Sequence, residues 1–226
     1  MKKSRLTPLQ TLVHLAGWAP LALMVYNFFT DNLTANPIQA LEQQTGIHAL
    51  TFLLFSLACT PLAAILGWQE LTQRRKALGN YGFMYAALHV TLFVGLDYGF
   101  NLNAILRDVG SKWYILVGAL AFLLLLPLAL TSFKYWMKRL GKNWKRLHKL
   151  VYIIAPIVAL HFLLSVKGDL FRLQGNLLQP LLYGSIALVL LVLRLTPVKT
   201  ALTRLRTRLS LWFRERKSPL KATGGQ

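Results

Sequence analysis

Two of the five histidines in this chain, His89 and His161, fall inside separate long apolar runs that carry no formally charged side chain. A titratable imidazole deep in a bilayer costs free energy unless something binds it, so such a residue is by default a candidate functional site. The commonest chemistry that a pair of imidazoles supports inside a helical bundle is axial ligation of an iron porphyrin. The competing reading is structural, since an imidazole can hydrogen-bond within or between helices and simply hold a bundle together. His148 lies in the basic stretch Lys145-Arg146-Leu147-His148-Lys149, His14 in the first turns of the first apolar run, and His48 near the start of the second.

The elements that must position these side chains are membrane spans. The chain is 55% hydrophobic and only 15% charged, with a mean hydropathy of +0.46, where a soluble domain carries about 25% charged residues. The charges gather in clusters and leave uncharged stretches at 6–30, 43–69, 77–96, 113–133, 150–166 and 173–193. A helix crosses a bilayer with roughly 20 apolar residues. Six transmembrane helices follow, near 9–29, 47–68, 80–97, 113–133, 147–166 and 177–196. The fold class is therefore an all-α polytopic bundle, with residues 1–197 as the six-helix unit and 198–226 as a basic tail. The first run is longer than a signal-peptide core and no small-x-small cleavage site follows it, so it reads as a retained helix.

A net charge of +19 suggests nucleic acid at first sight, but the placement of the charge argues for topology instead. With the N-terminus in the cytoplasm, 22 of the 26 basic residues fall on the cytoplasmic side, and only Arg107, Lys112, Lys167 and Arg172 remain outside. This is the positive-inside pattern with both termini cytoplasmic, and its basic face attracts anionic lipid. Between the spans, 31–46 reads as a polar outer loop with a turn at Asn36-Pro37. Gln73–Asn80 reads as a short inner turn, and Lys134–Lys149 as a basic inner loop with the aromatic anchors Tyr135, Trp136 and Trp144. Leu102–Val109 is a weakly amphipathic piece. In the tail, Leu202, Leu205, Leu209, Trp212 and Phe213 among arginines suggest a helix lying on the membrane surface. Residues Ala222–Gln226 are expected to be disordered. Thr60-Pro61 predicts a kink. No internal repeat is evident.

The third and fifth spans run in the same direction, so depths can be compared. His89 lies about 18 Å past Ala77, and His161 about 17 Å past Leu150, at about 1.5 Å per residue. Both imidazoles are thus expected at one level, close to mid-membrane, which is what a bis-histidine haem requires. His148 would sit about 20 Å below His161, with an angular offset of about 140° on an ideal helix. Pro156 or a π-bulge between the two could correct that phase. The single cysteine, Cys59, excludes a disulfide framework, a thiolate cluster and a CxxCH haem attachment. There is no GxGxxG, Walker A or HExxH motif. No acidic residue lies within an apolar run, which counts against an ion-coupled transporter.

Four segments carry a resemblance: Arg74-Arg75-Lys76-Ala77-Leu78-Gly79, Ala87-Leu88-His89-Val90, Trp144 through Tyr152 around His148, and His161 with Ser165-Val166-Lys167. Together they resemble the ferric-reductase-like transmembrane family over about residues 8–210. The closer likeness is to the haem-binding membrane subunits of bacterial protein-methionine-sulfoxide reductase systems. The resemblance implies an inner-membrane protein carrying haem b, with His89, His148 and His161 as haem-iron ligand candidates. It also implies flavin mononucleotide as a cofactor. Electrons would come from the quinone pool or a cytoplasmic flavin reductase. They would go to a soluble, molybdopterin-containing periplasmic partner that reduces methionine sulfoxide. Such a subunit transfers electrons and performs no substrate chemistry of its own. Relatives with four stacked histidines have two on each of two helices, whereas the third span here has one. A ferric reductase, a transporter and a structural assembly subunit are the alternative readings.

Overall fold

The computed structural model describes residues 7–166, 168–169 and 174–216. Lys2, Lys3, Arg5, Lys167, Arg172, Lys217, Lys221 and the segment Ala222–Gln226 lie outside them. The described chain is helical apart from a minimal hairpin, β1 (Gly168–Asp169) against β2 (Gln174–Gly175). The helices are α1 (Pro8–Phe29), α2 (Pro37–Leu66), α3 (Glu70–Leu92), α4 (Leu102–Ser111), α5 (Trp113–Leu130), α6 (Lys134–Leu140), α7 (Lys142–Leu147), α8 (Val151–Ser165), α9 (Leu178–Val192) and α10 (Thr196–Arg216). Five helical stretches are long and apolar enough to cross a membrane, and α9 with α10, bent by 78° at their junction, makes a sixth candidate. Exposed Phe29, Trp113 and Leu178 are among the many large apolar side chains on the outside of the bundle. Such a surface is at home in lipid.

Several boundaries differ from the sequence reading, each for a local reason. The expected outer loop 31–46 is mostly helix. Asn36 does not make a turn but caps α2, its side chain accepting from the Gln39 N–H at 3.1 Å, with Pro37 in the first turn, where its missing N–H costs nothing. The expected inner turn Gln73–Asn80 is likewise helical, because α3 begins at Glu70, whose carboxylate takes Arg74 one turn on at 3.4 Å. The basic loop 134–149 is built from α6 and α7, broken at Gly141 with φ 49. The amphipathic piece became α4, capped by Asn101 and tied by Lys112 to Asp108 at 2.6 Å. That contact, together with the Tyr98 hydroxyl, holds the Asp108 carboxyl below its ordinary range.

The second span is the hub. Half of its apolar window is buried, against about a fifth for the other spans. One face packs Leu50, Leu54 and Leu57 against Ile154, Ala155 and Ala187. The other packs Phe52 against Tyr81 and Tyr85, with Val13 of α1 beyond. Gly82 lets α3 close on it, since a Cβ there would stand 3.2 Å from the Leu53 nitrogen. Tyr85, fully buried, seats its hydroxyl between the Gly17 carbonyl at 2.8 Å and the Leu21 N–H at 3.0 Å, beside Pro20. A side chain inserted into the helical ladder in this way is a recognised cause of bending. Pro61 removes the N–H that would bond the Leu57 carbonyl. Arg194 supplies the replacement, with Nη2 at 2.6 Å and Nε at 3.1 Å.

Candidate haem site

The structure brings His89 and His161 together. Their ring centroids lie 6.2 Å apart with the planes at 73°. An imidazole binds a metal at about 2 Å. One iron between two such rings therefore sets their centres about 6 Å apart. The pair does not sit mid-way along its helices, however. α3 ends at Leu92, three residues past His89, and continues as a π-turn, Phe93–Asp97, while α8 ends four residues after His161 at Ser165. The sequence count began at Ala77, but α3 starts a further two turns earlier, which moves His89 toward the outer-loop end.

Each ring is fixed by a helix it does not belong to. His89 Nδ1 donates to the Glu42 carbonyl of α2 at 2.9 Å, and His161 Nδ1 donates to the Tyr114 carbonyl of α5 at 2.7 Å. A carbonyl can only accept, so each Nδ1 carries the proton and each Nε2 keeps its lone pair, the state a metal ligand needs. Neither Nε2 makes a hydrogen bond among the described residues. One turn beyond each carbonyl stands a glycine under the ring. A Cβ at Gly118 would lie 2.7 Å from His161 Cε1 and Nδ1, and one at Gly46 would lie 3.3 Å from His89 Nδ1.

The two rings are held with the same spacing along the chain. Both hydrogen bonds span 47 residues, and Glu42, Gly46 and His89 each recur 72 positions on as Tyr114, Gly118 and His161. The recurring Ala87-Leu88-His89 and Ala159-Leu160-His161 were the signal available in the sequence. In the same register Lys76 stands where the other half has His148.

His148 is not part of this pair. Its ring packs on Trp144 at 4.0 Å, its Nδ1 lies 3.1 Å from the Trp144 carbonyl, and its buried Nε2 makes no hydrogen bond among the described residues. The backbone break between His148 and His161 is a 3-10 turn at His148–Leu150, not a π-bulge. The other two histidines pack against tyrosines. His14 Nδ1 meets the Tyr81 hydroxyl at 2.9 Å, and His48 lies 5.4 Å from the Tyr85 ring. Glu42, read from sequence as a loop charge, is inside α2 with Oε1 buried and unpartnered. Among the described residues no three His, Cys, Asp or Glu side chains gather into a direct metal site. Two opposed imidazoles suit a group that brings its own equatorial ligands, and the residues present fit a haem.

The chain, a bundle of helices long and apolar enough to cross a membrane with one imidazole from each of two helix pairs, belongs to the ferric reductase like transmembrane component family, whose model matches residues 16–159. Its relatives are more specific. It is 41% identical over 188 residues to the protein-methionine-sulfoxide reductase heme-binding subunit MsrQ of Xanthomonas euvesicatoria pv. vesicatoria, covering 80% of this chain and 83% of that one. The same-named proteins of Herminiimonas arsenicoxydans and Caulobacter vibrioides are 39% and 40% identical over 84% and 81% of this chain, and 85% and 84% of theirs. These likenesses place the chain among the MsrQ proteins.

Proposed function

We propose that this chain is the haem b subunit of a protein-methionine-sulfoxide reductase system in the bacterial inner membrane. It would take electrons from the quinone pool or a cytoplasmic flavin reductase and pass them to a periplasmic molybdopterin-containing subunit. The observation that carries the reading is the opposed pair His89 and His161, each with Nδ1 committed to a backbone carbonyl and Nε2 left for iron. A bound haem would supply reversible one-electron chemistry. The chain's own part would be to hold the His89 and His161 imidazoles in one tautomer, keep the pair among apolar helices, and place it toward one end of the bundle. That end is the outer one if the basic residues mark the cytoplasm, and the electron then has a short exit to a periplasmic acceptor.

His148 belongs to the entry side of this proposal. Its unpartnered Nε2 makes it a candidate second ligand, and Lys142, Lys145, Arg146 and Lys149 around it could hold a propionate or the phosphate of flavin mononucleotide. The test is stopped-flow haem spectroscopy on purified protein. Quinol or the flavin reductase should reduce the haem, and methionine sulfoxide should reoxidise it only when the periplasmic subunit is present. Reoxidation by chelated Fe(III), with none through that subunit, would favour the ferric reductase reading that the family description suggests. His148→Ala should slow reduction by about tenfold or more while the haem between His89 and His161 stays bound. Unchanged kinetics and unchanged haem-to-protein ratio would leave His148 only as a packing partner of Trp144.

The proposal includes both termini in the cytoplasm, a topology supported by the 22 of 26 basic residues that would then face that side. Reporter fusions after Asn103 should therefore read outside, and fusions after Gly141 inside. The opposite result at either point breaks the topology.

A further inference from the structure

We propose that a cavity at the bend between α9 and α10 is a binding site for a phosphate group, held by Arg75, Arg194 and Lys199. The cavity measures about 130 Å³, and Thr60, Tyr152 and the three cations line it. The ion pairs among the described residues are Arg74 with Glu70 and Lys112 with Asp108, so none of the three has an acidic partner there. Three positive charges around one small cavity repel each other unless an anion lies between them.

The arrangement is built rather than diffuse. Arg194 is immobilised: Nε and Nη2 cap the carbonyl of Leu57 that Pro61 leaves free, Nη1 donates to the Tyr152 hydroxyl at 2.9 Å, and the guanidinium stands 5.2 Å over the Tyr152 ring. Tyr152 oxygen is thereby the acceptor, which leaves its own O–H to donate to a ligand. Arg75 and Lys199 have side-chain donors that make no hydrogen bond among the described residues. With the Arg194 donors committed to Leu57, Ser56, Thr60 and Tyr152, the Arg75 guanidinium, the Lys199 ammonium and the Tyr152 O–H are the donors the cavity lining offers to the oxygens of a phosphate, and Arg194 adds its charge.

Size narrows the ligand. Pockets that enclose a whole small molecule run to about 300–1,000 Å³. This cavity suits one phosphate with the rest of the molecule outside it. Two sources present that chemistry at the end of a membrane span: the headgroup of an anionic phospholipid and a soluble phosphomonoester.

The experiment uses the full-length, haem-loaded protein. Native mass spectrometry measures retention of dioleoylphosphatidylglycerol, with dioleoylglycerol as the lipid lacking phosphate, and calorimetry measures binding of phenyl phosphate. Wild type should hold one equivalent in at least one arm, the lipid arm identifying a headgroup site and the calorimetric arm a soluble one. Arg75→Gln and Lys199→Gln should each weaken that binding about tenfold. Lys138→Gln with Arg204→Gln, two exposed charges away from the cavity, should leave it unchanged. Haem content reports only that each variant is folded, so the outcome is independent of the electron-transfer reading. If Arg75→Gln fails to fold, the exposed Lys199 carries the comparison. Binding of neither phosphate compound by wild type overturns the proposal. So does equal loss in the control pair, or full binding by folded Lys199→Gln.

Discussion

Replacing either His89 or His161 with alanine is expected to strip the purified protein of most of its Soret absorbance. The two rings stand 6.2 Å apart and each is locked by a carbonyl from a neighbouring helix. Loss of a hydrogen-bonding partner behind a metal ligand typically costs 10–100-fold in affinity, and loss of the ligand itself should cost at least that much. The measurement is haem-to-protein stoichiometry with the reduced-minus-oxidised spectrum. On the proposed ligation both variants should fall together, because one iron would need both side chains. A variant that folds and keeps the wild-type spectrum would reduce its histidine to a hydrogen bond between helices. Adding imidazole to the medium offers a second readout: partial recovery of the spectrum shows that the empty place is a ligand position and not a collapsed core.

The next largest effect is expected from a single methyl group. Gly118→Ala puts a Cβ 2.7 Å from the His161 ring, a distance real Cβ contacts do not adopt. The ring cannot swing aside without giving up the Tyr114 carbonyl, so either α5 retreats from α8 or the imidazole leaves its orientation. Overpacking of this kind costs about 1–3 kcal/mol, and here the displacement falls on the nitrogen that must face iron. Haem content should drop severalfold. Gly46→Ala, with 3.3 Å to His89 Nδ1, should shift the spectrum less, and Gly184→Ala, with open space around it, should do nothing. Equal behaviour of all three variants would mean that the glycines serve helix packing alone and that the close approach to the imidazoles is incidental.

What could be read along the chain were quantities that composition and spacing encode directly. Uncharged stretches of about 20 residues mark spans because lipid offers no partner for charge or for open backbone. The histidines inside them stood out for the same reason. Boundaries were harder. Asn36-Pro37 has the letters of a turn and also the letters of a helix start, and only the Asn36 bond to the Gln39 N–H decides between them. Arg74, Arg75 and Lys76 look like a loop because they are charged, but a helix running past the apolar zone carries charge without cost. Extending α2 by more than two turns at its start then put the Glu42 carbonyl beside His89.

The sequence by itself determined that this is a polytopic helical membrane protein with two imidazoles inside separate apolar spans. Its basic segments and Ala-Leu-His motif also point to the ferric-reductase-like relatives. Those features depend on residue type and on distances along one helix, which the fixed rise of the helix makes calculable. Only the tertiary structure decided that Glu42 and Tyr114 carbonyls orient the rings, that Gly46 and Gly118 make room for them, and that Arg194 reaches the carbonyl orphaned by Pro61. A backbone carbonyl has no letter of its own, and a close approach between helices is set by how two surfaces mesh. Neither leaves a mark at any single position until the bundle is assembled.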